Sequence, residues 1–254
     1  MRAEGAAGGP LDRPGTVGET LALAVPWTAM THPLDNPVLR SLTGPQAGLA
    51  LRQGRAVRYP ADVSPFCALP DEPDMADWAA AADLVAPGEL ALFPGLDAAP
   101  PAGWEVAGAG EGVQLVADTL DARPDEEAVV LGPADVPAML RLADRTKPGP
   151  FLPRTIELGT YLGIWRDGEL VAMAGERMRP PGWTEISAVC TDPAWRGHGF
   201  ASRLTRAVAA VITARGETPF LHAVASNVTA VRLYKELGFV HRRDIKFMAL
   251  RHQG

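Results

Sequence analysis

Lysine is scarce in this chain, with 3 Lys against 21 Arg in 254 residues. The skew points to a GC-rich coding sequence and excludes no chemistry. Cysteine is scarcer: Cys67 and Cys190 stand far apart, and no Cys-x-x-Cys spacing occurs. A disulfide framework and a cysteine-built zinc site are thereby excluded, and no metal is expected. No apolar run reaches the length of a membrane span. The piece Leu21 to Trp27 is too short, and too soon broken by Pro26, to be a secretory core. The expectation is a cytoplasmic protein with no membrane partner. Lys/Arg blocks interleaved with aromatics are also missing, so nucleic acid is not an expected partner.

What is present describes an ordinary globular chain able to bury a core: 47% hydrophobic and 21% charged residues. The length suits one large domain or two modest ones. Net charge is −6 but unevenly spread. Residues 1–125 carry 7 basic and 17 acidic residues, whereas residues 126–254 carry 17 basic and 13 acidic. A basic second half suits an anionic small molecule.

Residues 1–18 have the composition of a disordered tail. Alternating runs about Gln53-Gly54 predict a hairpin between Leu49 and Tyr59. Met75, Trp78, Ala79, Ala82 and Val85 fall at helical spacing behind a capping Asp74. Strands are expected at Glu89 to Phe93 and Gly112 to Ala117, with a Pro-, Gly- and Ala-rich connection between them. The polar stretch Ala122 to Glu127 reads as a boundary, giving a smaller α/β domain over 19–125 and a second domain over 126–254. In the second, a strand (Ala128 to Leu131) precedes a helix (Pro133 to Asp144). A type I′ turn at Asp167-Gly168 joins Tyr161 to Arg166 with Leu170 to Met178. Glu185 to Thr191 is the next strand.

That strand leads through Asp192-Pro193 into Arg196-Gly197-His198-Gly199-Phe200-Ala201-Ser202 and a helix closed by Gly216. Backbone N–H groups at a helix start lack intrahelical partners and favour a negative charge, so a strand, glycine turn and helix start form a phosphate cradle. A strand (Phe220 to Val224), a helix (Asn227 to Leu237) and an extended stretch to Leu250 follow. The second half thus reads β-α-β-β-β-α-β-α-β.

With Arg-x-x-Gly-x-Ala at Arg196, Gly199 and Ala201, Pro193 before it, Asn227 opening the next helix, and the run Ala230 to Phe239, residues 126–250 closely resemble the GNAT superfamily of acetyl-CoA-dependent N-acyltransferases. The resemblance implies an α+β fold, a mixed and mostly antiparallel sheet flanked by helices. It implies acetyl-CoA as co-substrate, held by backbone groups of Val189, Cys190 and Thr191 along its pantetheine arm and by Arg196 to Ser202 at its pyrophosphate. His198 then faces solvent or a phosphate, and Asn227 caps its helix, contacts pantetheine, or both. Tyr234 is either core or the acid that meets the leaving sulfur. Glu185 is either the carboxylate that takes the amine proton or a strand-end group in solvent, with Glu176 and Glu157 as rivals. The acceptor is a primary amine of a small molecule, an amino acid or a protein terminus. A non-catalytic acyl-CoA-binding regulatory module is the alternative. The first half leaves room for a degenerate GNAT-like domain whose acidic surface attracts a cationic amine, or for a lid or packing domain.

Overall fold

Asn36 and Pro37 start the first helix, α1 (Pro37–Leu42): proline pre-sets the first turn, and the Asn36 side chain accepts from Leu39 N at 3.3 Å. The hairpin expected next is β1 (Leu51–Gln53) and β2 (Ala56–Arg58), turning at Gly54 with φ +52°. β3 (Cys67–Ala68) joins β2 to complete a three-stranded sheet. α2 (Met75–Leu84) opens on a capping box in which Asp74 and Asp77 exchange backbone-to-carboxylate bonds of 2.9 and 3.0 Å. Its buried face differs from the stripe read in the sequence: Trp78, Ala81 and Val85 are inside, but Met75 and Ala79 are exposed while Asp77 and Ala80 are buried. The Arg55 guanidinium, whose Nε donates to Asp77 at 2.8 Å, holds that carboxylate inward, a tertiary contact that apolar periodicity does not carry.

The remaining chain builds one eight-stranded sheet. Its elements are β4 (Leu90–Pro94), β5 (Trp104–Ala117), β6 (Val129–Val130), α3 (Val136–Thr146), β7 (Tyr161–Arg166), β8 (Glu169–Glu176), β9 (Trp183–Thr191), α4 (Phe200–Ala214), β10 (Thr218–Val224), α5 (Val228–Glu236) and β11 (Phe239–His252). From β6 onward this is the order read from the sequence. The strands lie in the order β4-β11-β5-β10-β9-β8-β7-β6, and every pair is antiparallel except β9 with β10. The β7–β8 hairpin turns on Asp167 and Gly168, both at positive φ (51° and 80°), as a type I′ turn requires.

β5 starts at Trp104, earlier than the expected Gly112, and occupies much of a stretch read as a loop. Its Gly- and Ala-rich start has weak strand propensity, and pairing with β11 from Trp104–His252 to Ala117–Phe239 imposes the conformation instead.

The computed structural model describes residues 32–254, which form one compact unit. The tail expected over 1–18 and the piece Leu21 to Trp27 lie outside the described residues. Within the described unit, β4 and β5 share the sheet with strands from the second half. One core cluster likewise mixes Leu34, Val38 and Tyr59 with Met178 and Phe220. Gln46 ties the same parts together through its Nε2, which donates to the carbonyls of Leu158 (3.1 Å) and Arg177 (2.7 Å). The larger core lies beneath α4 and α5, where Leu204, Val208 and Ile212 of α4 pack on Ile164, Ala172 and Leu221 of the sheet.

Candidate active site

Two local departures from regular sheet open the site. β9 and β10 are paired only from Trp183–Thr218 to Glu185–Phe220, and beyond that point the two strands part. Further along, β9 carries one residue more than β8 between the Gly175–Ser187 and Met173–Cys190 pairs, and Ala188 takes φ +52°. This is a β-bulge, in which Ala188 and Val189 stand opposite a single residue of β8. A left-handed alanine costs about 1 kcal/mol or more, strain that packing on both sides has to hold in place.

Two cavities meet at the parted strands. The first, of about 500 Å³, is lined by Val189, Cys190 and Thr191 of β9, by Arg196, Gly197, Gly199, Phe200, Ala201 and Ser202, and by Asn227 and Tyr234. The second, of about 400 Å³, lies on the other side of Val189 and Tyr234 and shares both residues, together with Asn227 and Ala230.

The first cavity has the character of the predicted cradle. Gly197 and Gly199 sit at φ +84° and +73°, and Gly199 is the N-cap of α4, so no side chain satisfies the N–H groups of the first turn. The first turn carries no acidic residue, and the space where a Cβ would stand at either glycine is open. Deeper in, the Thr191 hydroxyl is buried without a hydrogen-bond partner. Uncapped amides at one end and an orphan hydroxyl along the strand fit an extended ligand carrying phosphates and polar amides. Cys190 is buried, and burial pushes its thiol up to about 11, so it stays protonated at neutral pH. His198 is exposed, its Nδ1 near the Trp195 and Arg196 carbonyls (3.1 and 3.2 Å), and it lies outside the residues lining either cavity. Asn227 caps α5, accepting from Ala230 N at 3.1 Å, and also lines both cavities.

Tyr234 is 8% exposed, and its hydroxyl has no protein partner among the described residues. Burial, reinforced by neighbouring Cys190, pushes the phenol up to about 12. It is therefore a protonated donor facing the junction of the cavities.

Glu185 is placed differently from expectation. It is fully buried, off the lining of both cavities, and both oxygens are engaged: Arg177 Nε and Nη2 donate at 2.7 and 2.6 Å, and His222 Nδ1 approaches at 2.7 Å. Burial alone would raise its carboxyl, but the Arg177 charge and these bonds outweigh it and hold the group down at about 2. A proton acceptor so weak and so enclosed does not meet an amine in the cleft. The rivals stand no closer. Glu176 is buried against Arg215 (2.8 Å) and Glu157 is held by Arg154 (2.7 Å), and neither lines either of these two cavities.

His222 does line the second cavity, and its partners fix its tautomer. Gln114 Oε1 accepts from Arg242 Nη1 at 2.7 Å, and Gln114 Nε2 donates to the Leu34 carbonyl at 2.8 Å, so the amide has one orientation. That places its N–H₂ against His222 Nε2 at 3.0 Å, which must accept, leaving the ring proton on Nδ1 toward Glu185.

Comparison with known proteins agrees with this geometry. The FR47-like protein family matches residues 161–248. N-alpha-acetyltransferase RimI of Mycobacterium tuberculosis is 35% identical over 82 residues, 31% of this chain and 51% of that protein, so the chain spans about half the length of the curated relative it matches. A crystal structure assigned to the GNAT family, from Novosphingobium aromaticivorans, is 40% identical, with a TM-score of 0.81 over 88% of this chain and all of the other. The chain belongs to the GNAT family. A GCN5-related N-acetyltransferase from Kribbella flavida, 20% identical with a TM-score of 0.53 over 85% of this chain and 96% of that one, shares the fold.

In this member of the GNAT family, the fold brings together Val189, Cys190, Thr191, Arg196, Gly197, Gly199, Phe200, Ala201, Ser202, Asn227 and Tyr234, and leaves His198 and Glu185 outside. Sequence reasoning missed Arg177, His222, Phe66, Leu92 and Phe247, all of which line the second cavity. The one available signal was a histidine inside the apolar run Phe220 to Val224; Phe66, Leu92 and Phe247 become neighbours only through the β4-β11-β5 pairing, and Arg177 is placed by its ion pair with Glu185 of β9.

Proposed function

We propose that this GNAT protein transfers the acetyl group of acetyl-CoA to a primary amine by direct attack, with both substrates bound together. The observation that carries this reading is the meeting of two cavities at Val189 and Tyr234, one with the phosphate cradle and one without it. The uncapped start of α4 would hold the pyrophosphate, and β9 from Val189 to Thr191 would hold the pantetheine arm. Bound there, acetyl-CoA supplies an activated acyl thioester.

The chain's own groups then do two things. The bulge at Ala188 turns the Val189 backbone away from the β8 ladder, which supports a role for its N–H in stabilising the carbonyl oxygen under attack. Tyr234 hands a proton to the sulfur that leaves. In water a thiol near ~8.5 would make that transfer steeply uphill. Burial disfavours a thiolate here, as the thiol of Cys190 pushed up to about 11 shows, and so narrows the gap between the leaving sulfur and the phenol. With no carboxylate lining either cavity among the described residues, the amine proton leaves to water. The relative named N-alpha-acetyltransferase supports an amine acceptor, of a small molecule or a peptide.

The test is release of CoA thiol from acetyl-CoA in the presence of a broad amine panel. Turnover with at least one amine is expected; tight binding of acetyl-CoA with no turnover on any amine would instead support a non-catalytic acyl-CoA-binding module.

A further inference from the structure

Accepting the acetyltransferase reading, on which this rests, we infer that the acceptor is a weakly basic amine whose α-carbon bears a carbonyl and an uncharged, apolar side chain. Three independent features of the second cavity lead there.

The first is its wall. Phe66, Leu92, Ile186, Val224 and Phe247 line it, and no Asp or Glu does among the described residues. Phe66 and Leu92 bridge each other from the first half of the chain, and Phe247 reaches in from β11, filling the space that a side chain at Gly112 would take. Among the described residues, therefore, no acidic side chain of the first half lines the acceptor side. A cationic side chain would enter this cavity without a counter-charge, which buried charges do not tolerate.

The second is Arg177. Its side chain is 11% exposed and its guanidinium lies 4.8 Å from the Phe66 ring centre. Nε and Nη2 are committed to Glu185, whereas Nη1 has no partner among the described residues and Arg177 lines the cavity. The cavity therefore holds an unused, charge-assisted donor. Glu185 already balances the charge of Arg177, and His222 in the tautomer derived above adds none. With Lys147, the other cation on the lining, bonded through its ammonium to Asp144, a ligand carboxylate would bring an unmatched charge, whereas a neutral carbonyl takes the Arg177 N–H without one.

The third is the missing base. With Glu185 enclosed and His222 Nε2 occupied by Gln114, an amine must arrive largely deprotonated. A lysine-type amine near ~10.4 is neutral in about one molecule in a few thousand at pH 7, while an α-amino group near ~7.7–8.0 is neutral in about one in ten. The site thus favours the α-amino group by a factor of a few hundred before any contact is made.

The experiment measures CoA release by the full chain with acetyl-CoA at pH 7 and paired acceptors. Leucinamide and phenylalaninamide are set against leucine and phenylalanine, against isoamylamine and phenethylamine, which lack the carbonyl, and against arginine amide and putrescine. A tetrapeptide beginning with leucine separates a peptide source from a free amino-acid amide; preference for either supports the inference. The amides or the peptide should exceed the free acids, the carbonyl-free amines and the cations at least about tenfold in kcat/KM, the weight of one hydrogen bond to a charged group. Arg177→Lys, which keeps a cation for Glu185 but removes Nη1, should cut the amide advantage over the carbonyl-free amine about tenfold, leaving the part that the lower basicity of the α-amino group supplies. Free acids or putrescine as best substrates would overturn the inference while leaving acetyl transfer intact. No turnover with any amine would overturn the acetyltransferase reading and this inference with it.

Discussion

Arg177 and Glu185 form a two-bonded ion pair, Nε and Nη2 at 2.7 and 2.6 Å from the two carboxylate oxygens, at the point where β9 and β10 stop pairing. The pair fixes the root of the cleft. It also removes Glu185 from proton transfer and leaves one face of Arg177 toward the acceptor side.

Acid should reveal that pair as stability. The Glu185 carboxyl is held at about 2 against an ordinary value of 4.5, so its contribution is complete above pH 4.5 and is lost as pH falls toward 2. The expected size is roughly 3 kcal/mol. Urea unfolding followed between pH 5 and pH 3 should show the loss in the wild type. Glu185→Gln should start lower, by an amount on the order of 3 kcal/mol because Arg177 is left buried and unpaired, and should lack that component of the slope. Equal slopes in the two proteins would remove the assignment.

Turnover should depend on Tyr234. Tyr234→Phe keeps the ring that packs on Phe239 and deletes only the donor. A fall in kcat of about tenfold to a hundredfold is expected, with acetyl-CoA affinity changed less than about threefold. Stopped-flow or steady-state CoA release together with calorimetric titration of acetyl-CoA separates the two quantities, and a wild-type kcat would dismiss the acid role.

Acetyl-CoA affinity should depend on Gly199. At φ +73° on the uncapped start of α4, an alanine costs about 1 kcal/mol in backbone strain and puts a methyl into the open space of the cradle. Gly199→Ala should weaken acetyl-CoA binding about tenfold or more with little change in the kcat of the saturated enzyme. Titration of the ligand into both proteins checks this; unchanged affinity would place the phosphates elsewhere.

Cys190 should be dispensable to the chemistry. Its buried thiol is pushed up to about 11, so native protein at pH 8 should react with N-ethylmaleimide far more slowly than unfolded protein, and Cys190→Ala should keep kcat within about threefold. Loss of all activity in a folded Cys190→Ala protein would argue for a thiol nucleophile.

Much of this was legible in the sequence because it is local. Asp167-Gly168, Gly197, Gly199, Asn227 and Gly216 are backbone requirements written into single residues, and α4 and β7 to β10 follow from apolar periodicity. The cofactor side of the site inherited that legibility. The acceptor side did not. Phe66, Leu92 and Phe247 meet only because β11 lies between β4 and β5. The strand over 104–111 exists through pairing rather than propensity. Glu185 misled for a related reason: its position on β9 was readable, but its partners Arg177 and His222 come from the segment after β8 and from β10, and only their combined effect decides its charge and its enclosure.

The most direct test of the account is a crystal structure of the full chain with CoA, read for the separation of the CoA sulfur from the Tyr234 hydroxyl. Pantetheine should lie between the parted β9 and β10, with pyrophosphate on the amides from Gly197 to Ser202 and the sulfur within hydrogen-bonding reach of Tyr234 at the mouth of the apolar cavity. CoA bound with its sulfur away from Tyr234, or held outside the gap between β9 and β10, would contradict it.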